Sequence, residues 1–179
     1  MISKSNSSFK KLLKDRTILV AEIGQAHEGS LNIAHSMIDA CADAKVDVVK
    51  FQTHYAKYES TLEEPFRINF SFKDKKRFDY WKRMEFTSEE WQGLFNHAKK
   101  RGLMFMSSVF SNEAFRIINK LDVCAWKIAS GEIENKGLLD EMIKTKKTII
   151  VSTGMSNNLD IKNMNKYLLK KKADFIILQ

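Results

Sequence analysis

Short apolar segments of strand length alternate with longer amphipathic segments along most of this chain. The apolar segments lie at residues 17–23, 47–51, 103–107, 125–128, 148–151 and 174–178, and each has the length of a β-strand. Helices are predicted between them at residues 30–43, 111–121, 136–145 and 159–171. A further helix is predicted to begin at Thr87, because Thr87 and Glu90 have the spacing of a capping box. The pattern therefore predicts six strands separated by helices.

This alternation predicts an α/β fold with a parallel sheet, because parallel neighbours are joined by right-handed crossover connections. Runs this apolar also suit strands that are covered on both faces. Polar residues concentrate at the carboxyl ends of the predicted strands, as they do in TIM (β/α)8 barrels. No glycine-rich phosphate loop follows the first strand, which disfavours a nucleotide-binding fold. We therefore expect a TIM barrel, represented here by about six of its strands.

Residues 55–86 interrupt the alternation. The segment is rich in aromatic and charged residues and contains the only proline of the chain, Pro65. A long segment at this place is expected to elaborate the loop after the second strand and to form part of the rim of a site. A packing insert without ligand contact is the alternative.

Composition and charge limit the possible functions. The chain has 179 residues, 44% of them hydrophobic, which suits one globular domain. It shows neither a signal peptide nor a stretch of about 20 apolar residues, so we expect a cytoplasmic protein without a membrane partner. The net charge is +8, but the lysines fall mainly in helices and in connectors such as residues 144–147. This distribution is typical of a solvated surface, and nucleic acid is not an expected partner.

Two lysines lie inside predicted strands. The two-residue period of a strand places Lys50 and Gln52 on one side of the second strand and turns Lys127 toward the same interior. Buried ammonium groups are costly without an anionic partner. The partner is either a carboxylate, for which Glu22 and Glu132 are available, or an anionic ligand. Lysines whose amines reach solvent at the strand ends are the alternative.

Hydroxyl groups accompany these lysines at the ends of successive strands. They are Ser107 and Ser108, Ser130 before Gly131, and Ser152 and Thr153 before Gly154. Small hydroxyl residues beside glycine allow backbone N–H groups to approach an oxyanion, so the set predicts a phosphate or carboxylate ligand. Each motif taken alone also fits an ordinary turn or helix cap.

Four motifs in this order resemble the N-acetylneuraminate (sialic acid) synthase family, with its legionaminate and pseudaminate relatives. They are Ala21-Glu22-Ile23-Gly24 with His27-Glu28-Gly29, Val49-Lys50-Phe51-Gln52-Thr53, Lys127-Ile128-Ala129-Ser130-Gly131-Glu132, and Ser152-Thr153-Gly154-Met155. The resemblance covers nearly all of residues 18–179. It implies a TIM barrel followed by a small antifreeze-like domain.

The resemblance also implies an activity. Members of the family condense phosphoenolpyruvate with an open-chain N-acetylated amino sugar, such as N-acetylmannosamine, and release phosphate. The product is a nonulosonic acid used in surface carbohydrates. A divalent metal, commonly manganese, takes part, and its ligands are expected beyond residue 179.

Roles for individual residues follow from the same resemblance. Two carboxylates are implied to be catalytic: Glu22, which orients the sugar, and Glu132, a second acid/base group. Seven residues are implied to bind substrate: Lys50, Ser108 and Ser130 at the phosphoenolpyruvate carboxylate, Lys127 and Ser152 at its phosphate, and Gln52 and Phe110 along the pocket wall.

Length qualifies these expectations, because a complete TIM barrel has eight strands and about 250 residues. Residues 1–179 are expected to form a partial barrel domain that lacks the last strands and the antifreeze-like domain. Such a chain is expected to be incomplete as an enzyme and to associate with a second copy or with a complementing C-terminal chain. A truncated relative that binds phosphoenolpyruvate or a complementing chain without turnover is the alternative.

Overall fold

The computed structural model describes residues 4–178 and contains, within them, one sheet of six parallel strands. The strands are β1 (Val20–Gly24), β2 (Val48–Thr53), β3 (Met104–Val109), β4 (Trp126–Ile128), β5 (Ile149–Ser152) and β6 (Phe175–Leu178). They pair in chain order from β1 to β6. The predicted strand number, order and direction are confirmed. The bounds differ by two or three residues at several ends, where hydrogen-bonded pairing rather than hydrophobicity decides the limit.

Helices connect the strands, as the alternation predicted. They are α1 (Lys4–Asp15), α2 (Leu31–Asp43), α3 (Ala56–Glu59), α4 (Arg77–Met84), α5 (Ser88–Lys100), α6 (Asn112–Ile118), α7 (Lys136–Lys144) and α8 (Asn158–Lys170). The predicted capping box is present, because Glu90 N donates to Thr87 Oγ1 at 3.1 Å and Thr87 N donates to Glu90 Oε2 at 2.7 Å. Within residues 4–178, none of these helices is long and apolar enough to cross a bilayer.

The sheet curves around an interior. Side chains from all six strands, from Val20 on β1 to Leu178 on β6, line one concavity. The register between neighbours places Lys50 beside Met106 and Ser108 beside Lys127, so interior positions meet across strands. Parallel strands in chain order that enclose an interior are the arrangement of the first six units of a TIM barrel.

Two apolar layers lie on opposite faces of the sheet. The larger one packs the outer face against the helices, and its centre is an aromatic cluster in which the ring of Phe51 lies 5.4 Å from Phe105 and 5.7 Å from Trp91. The smaller one fills the lower interior with Val48, Met106 and Ile150, among others. The interior therefore has an apolar floor beneath its polar upper positions.

Helix α1 closes this floor and was not predicted from the sequence. Its Phe9 is 2% exposed and packs among the interior residues. Asn6 Nδ2 donates to the Cys124 carbonyl oxygen at 2.9 Å and to Thr148 Oγ1 at 3.2 Å, which joins α1 to the starts of β4 and β5. The segment shows only scattered apolar residues, and its two buried side chains are Phe9 and the polar Asn6. The helix shields the lower interior from solvent.

Residues 55–86 contain α3 and α4 and dock onto the loop after β1. Arg83 donates to the Glu28 carbonyl oxygen at 2.8 Å, and the Tyr80 hydroxyl donates to Gln25 Oε1 at 2.8 Å. Gly29 has φ +76°, and a Cβ there would lie 2.1 Å from the Arg83 backbone oxygen. The two loops therefore touch through bare backbone at a position that only glycine can occupy.

We expect Gly29→Ala to lower the free energy of unfolding by at least about 2 kcal/mol, because it combines a positive φ with a backbone clash. Gly93→Ala is the matched control. Gly93 lies within α5, and a Cβ added there would have no neighbouring heavy atom within 4 Å, so alanine should raise stability by about 0.5–1 kcal/mol. Urea unfolding of both variants measures the difference. Equal effects at the two glycines would contradict the close approach at Gly29.

Candidate active site

A cavity of about 480 Å³ opens at the carboxyl ends of the strands. Seven of the nine predicted site residues line it: Glu22, Lys50, Gln52, Ser108, Lys127, Ser130 and Ser152. They come from the five strands β1 to β5 and from the 3-10 turn that follows β4. Strand alternation thus brings together residues that lie up to 130 positions apart, counting from Glu22 to Ser152.

Lys50 is buried, with 6% of its surface exposed. Its Nζ forms an ion pair with the Glu22 carboxylate and donates to Ser108 Oγ at 3.3 Å. The register explains the ion pair, because Glu22 on β1 is the direct neighbour of Lys50 on β2. The Glu22 side chain remains 53% exposed, so this carboxylate faces the open mouth while it balances a buried charge.

Lys127 is also buried but has a different environment. Its Nζ donates to the Ile128 carbonyl oxygen at 3.1 Å and to Ser152 Oγ. Among residues 4–178, no carboxylate lies within ion-pair distance of it. The pKa of Lys127 is lowered to about 8, mainly by burial and also by the charge of Lys50, while Glu22 opposes the shift. The cavity therefore contains two buried amines and one nearby carboxylate.

The hydroxyl groups divide between the two faces of the sheet. Ser108 is 2% exposed and lines the cavity. Its neighbour Ser107 lies on the opposite face, where its Oγ is 2.8 Å from Thr53 Oγ1. The expectation that both serines join the anion site is wrong for Ser107, because consecutive strand residues point to opposite faces. Thr153 Oγ1 is likewise engaged, since it donates to the Leu178 carbonyl oxygen at 2.9 Å.

The two remaining predicted residues do not line this cavity. Glu132 ends the 3-10 turn Ser130–Glu132, and its Oε2 accepts from Asn135 Nδ2 at 3.0 Å. Phe110 follows β3 and stacks on the ring of His54, with centroids 4.0 Å apart. Their predicted contacts with substrate stay predictions.

Apolar residues complete the cavity wall and were not predicted. Met106 and Ile150 lie two positions before Ser108 and Ser152 on the same strands, and both line the cavity. The alternation that identified the serines also marks these positions, since they face the same side. An apolar wall below the amines excludes water and strengthens any charge interaction made there.

The histidine nearest the first strand is not a cavity residue. His27 is fully buried against Phe86, with ring centroids 4.7 Å apart, and its Nδ1 accepts from Gly29 N at 3.1 Å. Burial lowers its pKa to about 4, so the ring is neutral at neutral pH. Among residues 4–178, no group of three or more His, Cys, Asp or Glu side chains is placed to hold a metal ion. The predicted manganese site, whose ligands are expected beyond residue 179, stays a prediction.

Comparisons with known proteins find similar sequences among sugar-acid synthases. The model of the NeuB family matches residues 37–179. The chain is 34% identical over 161 residues to N,N'-diacetyllegionaminic acid synthase of Campylobacter jejuni, covering 88% of this chain and 48% of that protein. It is 33% identical over 149 residues to pseudaminic acid synthase of Helicobacter pylori, covering 81% and 44%.

A solved structure shows the same fold. N-acetylneuraminic acid synthetase of Leptospira borgpetersenii, in complex with citrate, matches with a TM-score of 0.75 and 28% identity. The match covers 90% of this chain and 53% of that one. The chain thus spans about half the length of the relatives that it matches.

We expect anion binding in the cavity to weaken above pH 8, because the lowered pKa leaves Lys127 neutral there and only the charged amine attracts an anion. Sulfate is a suitable probe, since its charge does not change in this range. Its apparent Kd should rise about tenfold between pH 7 and pH 9 for a group with a pKa of about 8. Lys127→Arg stays charged and should flatten this profile. Calorimetric titrations with sulfate at three pH values measure the Kd of the unsubstituted chain and of Lys127→Arg. The same pH dependence in both proteins would contradict the role of Lys127.

Proposed function

We propose that this chain, which belongs to the NeuB family, forms part of a nonulosonic acid synthase that condenses phosphoenolpyruvate with an N-acetylated amino sugar. The observation that carries the proposal is the pair of buried lysines, Lys50 and Lys127, that face one cavity beside three serine hydroxyls. Phosphoenolpyruvate has two anionic groups on one small framework. Two ammonium groups in a water-poor interior, each beside a serine hydroxyl, complement such a ligand.

The carboxylate of phosphoenolpyruvate is assigned to Lys50, with Ser108 and Ser130. Lys50 Nζ lies 3.3 Å from Ser108 Oγ, so the amine and the hydroxyl can donate to one carboxylate. The phosphate is assigned to Lys127 and Ser152, whose side chains already contact one another. Lys127 has no ion pair among the described residues, and a phosphate would supply the missing counter-charge.

The reaction joins C3 of phosphoenolpyruvate to the aldehyde carbon of the open-chain sugar. Water adds at C2, and the C2–O bond to phosphate then breaks, so that phosphate leaves with its bonding electrons. Glu22 is proposed to orient the sugar, since its carboxylate is half exposed at the mouth while it pairs with Lys50. Glu132 is proposed as the second acid/base group, with Gln52 and Phe110 along the wall for the sugar.

A relative that binds phosphoenolpyruvate or a complementing chain without turnover is the second candidate, and two exposed apolar residues at the edge of the cavity favour a chain that covers them. Val20 and Leu178 line the cavity from the two outer strands, yet they are 41% and 44% exposed. Apolar side chains at unpaired strand edges are usually covered in a functional assembly. We propose that a second copy or a complementing chain covers them. Turnover measured with and without a separately expressed C-terminal half of a relative separates the two candidates.

We expect Lys50→Glu and Lys127→Glu each to weaken phosphoenolpyruvate binding at least about a hundredfold, because each replaces an attractive buried charge by a repulsive one. Lys171→Glu is the control for net charge. Lys171 is partly exposed at the end of α8 and pairs with Asp140 at 2.9 Å, far from the cavity lining. Its variant should bind nearly as well as the unsubstituted chain.

Calorimetry with phosphoenolpyruvate measures all three variants. Equal weakening in the three would show that the basic surface attracts anions diffusely, and the assignment of the cavity would be wrong.

A further inference from the structure

His54 connects the docked segment 55–86 to the wall of the cavity. Its ring follows β2 directly and is stacked between two others: Trp81 on α4, at 3.8 Å and 13°, and Phe110 after β3, at 4.0 Å and 18°. The side chain is 4% exposed. A flat ring held on both faces has little freedom to rotate, so its two nitrogen atoms have fixed directions.

One of these nitrogen atoms is bound to a carboxylate. His54 Nδ1 lies 2.5 Å from Glu59 Oε2, and Glu59 Oε1 accepts from Tyr55 N at 2.9 Å. The Glu59 side chain is only 6% exposed. An ionised carboxylate can only accept hydrogen bonds, so Nδ1 carries the proton and donates. The buried Glu59 thereby orients the ring through Nδ1.

The other nitrogen atom faces a cavity residue. His54 Nε2 lies 3.4 Å from the carbonyl oxygen Gln52 Oε1. A carbonyl oxygen only accepts hydrogen bonds, so Nε2 is the donor in this contact and the amide NH2 group of Gln52 is left for the cavity. His54 therefore decides which end of Gln52 a ligand meets.

We propose that His54 is a positioning residue that holds Gln52 and Phe110 for the amino-sugar half of the site. The inference rests on the proposed function, which assigns these two residues to the sugar. His54 touches Gln52 through Nε2 and Phe110 through its ring face, and it touches neither lysine of the anion half. Its loss should therefore weaken sugar binding and spare phosphoenolpyruvate.

His54→Phe tests this directly, since it keeps a flat ring between Trp81 and Phe110 and removes both nitrogen atoms. Calorimetry on the protein, first with phosphoenolpyruvate and then with N-acetylmannosamine or a 2,4-diacetamido-trideoxyhexose added to the loaded protein, gives two separate affinities. We expect the sugar Kd to rise about tenfold and the phosphoenolpyruvate Kd to change less than twofold. The side-chain amide resonances of Gln52 in a ¹⁵N NMR spectrum should shift as well.

His97→Phe is the matched control. His97 lies on α5, where its Nε2 is 2.8 Å from Asp39 Oδ1 and its ring packs edge-on against His35. This substitution removes the same atoms from another histidine–carboxylate pair on the outer side of the fold. Both affinities and the Gln52 resonances should stay unchanged.

A second variant covers the case in which His54→Phe does not fold. His54→Asn can still donate to Glu59 but is too short to reach Gln52, so it should show the same selective loss of sugar affinity. Equal weakening of both ligands, or no change in sugar affinity, would overturn the positioning role.

Two results on the unsubstituted chain separate this inference from the proposed function. Binding of phosphoenolpyruvate without any sugar binding would overturn the role of His54 and leave the anion half standing. Absence of phosphoenolpyruvate binding would overturn the proposed function, and the role of His54 with it.

Discussion

Two amines share the interior of one curved sheet, and a single nearby carboxylate balances only one of them. Lys50 has Glu22 as its counter-ion, whereas Lys127 has a carbonyl and a hydroxyl. Burial of a charge without a counter-ion costs free energy that other interactions have to offset. Here the cost shows in the lowered pKa of Lys127, and an anionic ligand would remove it. The cavity therefore has a positive charge that an anionic ligand would balance.

The strength of the charge interactions in the cavity depends on an apolar layer that excludes water beneath the two amines. Met106 and Ile150 form the apolar layer under the amines, and Phe9 of α1 covers that layer at the other end. Charge interactions weaken as the local dielectric constant rises. A helix at the start of the chain that touches none of the predicted substrate contacts therefore contributes to the electrostatics of the site.

The mouth of the cavity is coupled to the outer surface through residues 55–86. Arg83 and Gly29 join this segment to the loop after β1, while the stack around His54 joins it to the ends of β2 and β3. Lys50 and Lys127 lie within β2 and β4, and among the described residues the side-chain partners of these lysines do not belong to residues 55–86. Variation in this segment would change the surroundings of Gln52 and Phe110 and leave those of Lys50 and Lys127 intact.

The sequence by itself determined the strand order and the sharing of one interior by Lys50 and Lys127, because the two-residue period of a strand is a local property. It also determined the helix start at Thr87, since a capping box is made within four residues. It did not reveal α1, whose docking depends on Phe9 and Asn6 meeting residues that are distant in sequence. The two-residue period also separates Ser107 from Ser108, because consecutive strand residues point to opposite faces. The stacking of His54 and the lowered pKa of Lys127 were decided by tertiary structure alone, because both arise from neighbours that are remote in sequence.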